Sequence, residues 1–498
     1  MGYVIGIDLG TSAVKALLVD QEGAVRGEAS RAYPLFHEHT GWSEQKPDDW
    51  VEATIEALKE LSEASGINPT EIEGISFSGQ MHGLVLLNSE GNPVRNAILW
   101  NDTRTTAQCR EIERTLGDKL LGITRNPALE GFTLPKILWV RQHEPQAFEQ
   151  AELFLLPKDY VRFCLTGKLH MDYSDAAGTL LLDVANKHWS AEALQAFGLP
   201  ASFCPALVDS HAQVGTLLPA VAERLGLPAS VKVFAGGADN ACGAIGSGIL
   251  SEGLTLSSIG TSGVILNYEN DKNADFAGKV HFFNHGKENA FYAMGVTLAA
   301  GYSLSWFKNT FAAGESFDQL LDGVGEVKPG AGGLLFTPYL VGERTPHADA
   351  NIRASFIGVD GSHRRIDFAR AVMEGITFSL NESVDLFRKA GKKVETIISI
   401  GGGAQNPAWL QMQADIFNAT VVALENEQGP GLGAAMLAAY GCGWFANLDA
   451  CAEQFVKRGA SYAPNAEAVE TYAGLFRLYQ QVYEQTKGLN EALAAYRK

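Results

Sequence analysis

Long apolar runs are missing from this 498-residue chain. None approaches the roughly 20 residues that a bilayer-spanning helix needs, so no membrane partner is expected. The first residues enter an apolar strand with no charged leader segment ahead of it, and the sequence therefore predicts a cytoplasmic protein. Cysteine is scarce and scattered. The six at 109, 164, 204, 242, 442 and 451 include no C-x-x-C pair and no histidine at zinc spacing. That excludes a disulfide framework or metal knuckle and predicts reduced core thiols. Positive charge is short too. The formal net charge is −18 and no Lys/Arg-rich run interleaved with aromatics offsets it locally, so nucleic acid is not an expected partner. Two common nucleotide signatures are also absent. Gly167-Lys168 is followed by Leu169 and Gly278-Lys279 by Val280, so there is no G-x-x-x-x-G-K-[ST] loop. Gly441-x-Gly443-x-x-Ala446 follows a helical stretch, the wrong context for a dinucleotide turn.

What the chain does have is apolar content, 46%, enough for two large cores. It also has a repeated hairpin. Residues 4–15 form an apolar strand ending in Asp8, Gly10, Thr11 and Ser12 before a second strand that carries Lys15. Gly10 lets backbone approach an anion, Thr11 and Ser12 offer donors, and Asp8 is placed to hold a magnesium ion through water. An ordinary hairpin with an Asx turn fits the same residues. Residues 257–263, Ser-Ser-Ile-Gly-Thr-Ser-Gly, repeat the pattern between two apolar strands, with Gly260 and Thr261 at the tip. Two such tips suggest two similar domains facing one nucleotide.

Three further loops follow apolar strands. Gly79-Gln80-Met81-His82-Gly83 gathers an amide, a thioether and an imidazole that suit one face of a small polyol, or else plug a core. Gly236-Gly237-Ala238-Asp239-Asn240 puts Asp239 at a strand-to-helix switch, where it caps the helix or serves as a base; both readings stand. Gly401-Gly402-Gly403-Ala404-Gln405-Asn406 offers bare backbone to a flat heterocycle. Asp102 reads equally as a helix cap and as a catalytic acid. A helix from Pro47 to about Ser65, another from Pro407 to Asn418, and a mostly exposed C-terminal helix with Tyr472, Phe476, Tyr479 and Tyr483 on one side complete the pattern.

Together the hairpin pair and the Gly236 and Gly401 loops resemble the FGGY carbohydrate kinases, of the sugar kinase, actin and heat-shock chaperone superfamily. Gly131-Phe132-Thr133 with Lys136, Trp139 and Gln142-His143 is similar to one signature of that family. Phe356-x-Gly358 with Asp367-Phe368, Ala371 and Glu374 is similar to another. The resemblance implies two actin-like (ribonuclease H-like) α/β domains, residues 1–248 and 252–498, each with a mixed five-stranded sheet. It also implies ATP and Mg2+ as cofactors. Within the family, Gln80-Met81-His82-Gly83, Leu99-Trp100-Asn101-Asp102, Asp239-Asn240 and Tyr339–His347 resemble the branch acting on D-xylulose. Glycerol-specific members typically carry Arg-Glu in place of Met81-His82 and Gln in place of Asn240. By this resemblance Gln80, Met81, His82 and Asn240 contact the sugar, and Asp239 takes the proton from its 5-hydroxyl. Asp8 supports the metal. Gly10, Thr11, Ser12, Lys15, Gly260 and Thr261 serve the phosphates, and Gly402, Gly403 and Asn406 line the adenosine site. Gluconate, ribulose or another ketose as substrate, a nucleotide-switched chaperone or filament role, and a homodimer remain alternatives to be tested.

Overall fold

A computed structural model describes residues 2–497. Tyr3–Leu9 pairs antiparallel with Ala13–Asp20 and parallel with Ile72–Gly79, which places the first hairpin at the centre of a sheet. Its order runs Gln213–Thr216, Lys232–Phe234, Ile72–Gly79, Tyr3–Leu9, Ala13–Asp20, Val25–Ala32, with Gly237–Ala238 added beside Ile72–Gly79. The second sheet runs His281–Asn284, Phe291–Thr297, Gly263–Glu269, Gly253–Ile259, Val394–Gly401, Thr420–Leu424, Arg458–Tyr462. Both are mixed sheets with the hairpin strand at the centre. Each has seven strands, two more than expected. The additions are short strands, mostly at sheet edges, and two to five residues carry too little periodicity to be read from sequence.

Both faces of the first sheet are covered, which explains apolar runs such as Val4-Ile5 and Leu17-Leu18-Val19 where a half-exposed strand would alternate. Helix Pro47–Ser65 lies on one face, with Trp50, Leu58 and Leu61 against Val14, Ile75 and Phe77. It starts at the expected proline and stops at Gly66, which adopts the left-handed conformation that ends many helices. On the opposite face lie Asp239–Gly246 and, from far along the chain, Gly429–Gly441, packed over Val4, Leu17 and Val19. These two helices touch backbone to backbone. A Cβ on Gly433 would stand 1.9 Å from the Cys242 carbonyl oxygen, so glycine is required there.

The second sheet is backed by Arg365–Lys389, Pro407–Phe417 and the C-terminal helix Ala466–Ala494. That last helix is longer than its sequence pattern suggested, and its aromatic side is buried: Tyr472, Phe476 and Tyr479 pack their rings around Phe378. Glu374 of the second signature is structural. Its carboxylate accepts from Arg370 (2.7 Å), the Tyr472 hydroxyl (2.7 Å) and the Gly330 N–H (3.1 Å). All six cysteines are free thiols. No helix among the described residues is long and apolar enough to cross a membrane. The halves meet along a packed seam, where the Asn126 amide donates to the Phe282 carbonyl (2.8 Å) and the Asn284 amide to the Val184 carbonyl (3.0 Å).

Candidate active site

Gln80–Gly83 leaves the end of Ile72–Gly79, and Asp239 leaves the end of Gly237–Ala238, which pairs with Ser78 and Gly79. Adjacent strands therefore deliver both loops to one place. His82 has φ 67°, an uncommon left-handed backbone for a non-glycine residue, and the surroundings hold it there. Its carbonyl accepts from Lys136 Nζ (3.0 Å) and the Thr133 hydroxyl (3.1 Å), and its ring packs on Phe132 at 4.7 Å. The first signature segment is thus the clamp for this loop. Lys136 is fully buried, and burial draws its ammonium down to about 7. Burial, reinforced by the Lys136 charge, draws the His82 imidazole down to about 3, so it is neutral at ordinary pH. Nδ1 lies 2.8 Å from the Gly178 carbonyl and must donate to it, which leaves the Nε2 lone pair as an acceptor.

Asp239 occupies the first turn of its helix. The N-cap is Ala238, whose side chain caps nothing, so the capping alternative for Asp239 is not realised. Instead its Oδ1 accepts from the Asn240 N–H (2.7 Å) and the Asn240 side-chain amide (3.0 Å). Burial first, then the Asp8 charge, raises its carboxyl to about 7, a value suited to a general base near neutrality. Asp8 is raised as well by burial, with Ser78 and Lys15 working against the rise. Neither carboxylate forms an ion pair among the described residues.

Met81, His82, Asp239 and Asn240 share a cavity of about 220 Å³ with the second half of the chain, which supplies Ser262, His281, Phe283, Met294 and Arg344. Met81 Sδ accepts from the Asn240 amide at 3.5 Å, so the two expected loops touch directly. Of the wall from the second half, Ser262 belongs to the repeated hairpin and Arg344 to the Tyr339–His347 stretch, whereas sequence reasoning missed His281 and Phe283, on the edge strand His281–Asn284, and Met294, on Phe291–Thr297, which carry no local motif. Gln80 does not line this cavity. It is 2% exposed, and its amide donates to Gln45 (3.1 Å) and to the Gly10 carbonyl (3.4 Å), bracing the hairpin instead of a sugar. Asp102 is neither cap nor catalyst: Arg104 and the Ser43 N–H saturate it, and the Arg104 guanidinium stacks on Trp42 at 3.6 Å.

The first hairpin is closed by the Gly10 N–H donating to the Ala13 carbonyl (3.0 Å). Thr11 accepts from the Trp100 indole (3.0 Å), and Ser12 stands exposed at the tip. Lys15 pairs with Glu28 at 3.0 Å, a cross-strand contact that competes with any phosphate role. A second cavity, of about 370 Å³, lies wholly in the second half and is lined by Gly260, Thr261, Gly402, Gly403 and Asn406, with Tyr302, Phe317, Leu321 and Trp409 added. The glycines divide by cause. A Cβ on Gly401 would meet the Ile259 carbonyl oxygen at 2.7 Å, and one on Gly403 the Ile259 side chain at 2.6 Å, so packing demands both. Gly402 has no such contact below 3.6 Å; its bareness serves the cavity. The Asn406 side-chain oxygen Oδ1 caps the next helix by accepting from the Trp409 N–H (3.1 Å).

Two similar α/β domains with hairpin tips, a cavity on their seam that gathers Met81, His82, Asp239 and Asn240, and a glycine-floored cavity in the second half are the frame of a two-domain kinase of small polyols. The chain belongs to the FGGY family of carbohydrate kinases: the model of the family's N-terminal domain matches residues 3–246 and that of its C-terminal domain residues 255–442. It is 63% identical over 498 residues to the xylulose kinase of Bacillus subtilis, covering all of both chains. Among solved structures it resembles a ligand-bound xylulose kinase from Lactobacillus acidophilus, with 29% identity, a TM-score of 0.93, and 98% and 99% of the two chains covered. A gluconate kinase from the same organism matches at 29% identity and TM-score 0.92, over 97% and 98%. Backbone likeness therefore does not separate these substrates.

Proposed function

We propose that this protein transfers the γ-phosphoryl group of ATP to the 5-hydroxyl of D-xylulose, with Asp239 as the base. The observation that carries this reading is the convergence of Met81, His82, Asp239 and Asn240 on one cavity beside the hairpin tips. Neutral His82 accepts a hydrogen bond from a sugar hydroxyl through Nε2, and the Asn240 side-chain oxygen, whose amide hydrogens go to Asp239 and Met81, accepts from a neighbouring hydroxyl. The 5-hydroxyl gives its proton to Asp239 as its oxygen bonds to the γ-phosphorus; the bond to the β–γ bridging oxygen breaks and ADP leaves. Residues 1–248 carry sugar and base on this reading, and residues 252–498 carry adenosine on Gly402, Gly403 and Asn406. Gly10, Thr11, Ser12, Gly260 and Thr261 face the phosphates.

Mg2+ fits the donor set. Burial raises both the Asp8 and the Asp239 carboxyl, the Asp8 charge adds to the rise at Asp239, and neither carboxylate is in an ion pair among the described residues; Mg2+ commonly takes one or two carboxylates plus water and phosphate oxygens. The one described group of three possible ligands, Asp159, Asp172 and Asp175, is already filled by Lys158. Asp8 would hold the ion through water; when bound it neutralises charge on the transferring phosphoryl group.

A coupled ADP assay with MgATP tests the substrate. D-xylulose is expected to give the highest kcat/KM among ketopentoses, aldonates, glycerol and other polyols, and a tenfold preference for gluconate or glycerol would overturn the reading. His82 has its own signature. His82→Asn keeps a residue that tolerates positive φ but removes Nε2. It is expected to cost about 1 to 3 kcal/mol, mostly as a higher KM for the sugar with kcat less affected. An unaltered KM in folded protein would make His82 a purely structural residue.

A further inference from the structure

Behind the two loops lies a buried set of charges that the reaction does not touch. Lys158 is fully enclosed, and its ammonium reaches Asp159 (2.8 Å), Asp172 (2.7 Å) and Asp175 (2.9 Å); Arg162, equally enclosed, pairs with Asp159 (2.8 Å). Well-packed apolar side chains often replace such clusters with no loss of stability, so stability alone is a weak reason for this one. Its outward contacts show where its rigidity goes.

Those contacts converge on the strand that ends at Asp239. Arg162 donates to the Ala235 carbonyl (2.7 Å), and the Ser210 carbonyl accepts the Gly236 N–H (2.9 Å). Asp172 Oδ2 accepts from the Ser174 N–H (2.9 Å), from the Ser174 hydroxyl and from the Ser210 hydroxyl (2.9 Å). The Ser174 oxygen in turn accepts the Ala238 N–H at 2.9 Å. A hydroxyl has one hydrogen. Because Asp172 takes it, the Ser174 lone pairs are turned toward Ala238, and Lys158 holds Asp172 from the other side.

We propose that Ser174, oriented by Asp172 and Lys158, is a positioning residue for Asp239: it holds the Ala238 N–H and so fixes the Gly237–Ala238 peptide, one residue before the base. Ser174 lines neither cavity and acts only through Asp239, so this inference rests on the reading of Asp239 as the base. Without the hydroxyl, a buried N–H at the helix start loses its acceptor and the carboxylate is free to drift. A misplacement of about 1 Å can cost on the order of 100-fold in rate.

The test is a double-mutant cycle with Ser174→Ala and Asp239→Asn, measured as kcat and both KM values on the full chain. Ser174→Ala is expected to lower kcat about 10- to 100-fold with both KM values within about threefold. In the Asp239→Asn background the same change should alter kcat by less than about twofold, because the group it positions is gone. Ser210→Ala strips a hydrogen bond from the same Asp172 oxygen without touching Ala238, and is expected to leave kcat within about twofold of the parent. If Ser174→Ala does not yield folded protein, Asp172→Asn takes its place in the cycle, with the same pattern expected. A folded Ser174→Ala enzyme with parental kcat overturns the proposal, as does an equal loss in both backgrounds. Full activity of Asp239→Asn alone would instead remove the base assignment and this proposal with it.

Discussion

Changing Asp239 to Asn is expected to lower kcat by about 100- to 10,000-fold while leaving the protein folded. An asparagine retains an Oδ1, so the two hydrogen bonds now accepted from Asn240 can persist. The helix start does not depend on this side chain, because the N-cap is Ala238. The negative charge in the first turn gains about 1 kcal/mol or less from the helix N-terminus, but burial and the Asp8 charge outweigh that gain, as the carboxyl's rise to about 7 shows, so its removal does not cost net stability. The melting temperature should therefore move by no more than about 2–4 °C. What cannot persist is the proton acceptor. Retained activity with a large drop in melting temperature would make Asp239 a structural residue and send the search for the base elsewhere.

Asp8→Asn separates two consequences of one charge. If Asp8 holds Mg2+ through water, its loss should cost about 10- to 100-fold in activity or in apparent magnesium affinity, as is usual for groups that orient a ligand of the metal. The same substitution acts on Asp239 in the opposite sense. The Asp8 charge is the second cause, after burial, of the raised Asp239 carboxyl. Removing it lets Asp239 lose its proton at lower pH. The parent enzyme should lose kcat/KM as pH falls through about 7, where the base becomes protonated; the variant should lose it at a lower pH, from a lower ceiling. Magnesium titrations at several pH values measure both. An unchanged magnesium dependence together with an unchanged acid limb would leave Asp8 with neither role.

Much of the site was legible because its residues follow strands directly. Met81, His82, Asp239 and Asn240 stand at strand ends, where a loop motif in sequence is also a cluster in space. Gln80 sits in the same motif but points the other way, and nothing in Gly-Gln-Met-His-Gly reveals that Gln45 and Gly10 claim its amide. The ion pair of Lys15 was equally hidden, since its partner Glu28, diagonal to it on the next strand, is brought within reach only by strand register. His281 and Phe283 escaped notice because they reach the cavity through packing between the two halves, and such contacts leave no local periodicity. The sheets show the same division. Their central strands have long apolar runs, whereas the short additional strands carry too few residues for a pattern, and one of them, Gly237–Ala238, pairs with Ser78 and Gly79 far back in the chain.

The packing of Gly429–Gly441 on the first sheet has a consequence for the order of events at the ribosome. Residues through about 250 emerge with every strand of that sheet, yet one of its faces, bearing Val4, Leu17 and Val19, waits for a helix that ends at 441. At about 5–20 residues per second, the intervening stretch takes on the order of 10–40 s to synthesise. During that interval the nascent first half carries an open apolar face of the kind that binds chaperones or aggregates. A messenger truncated before codon 429 should yield an insoluble product, and supplying the missing helix as part of a separately translated second half should restore solubility.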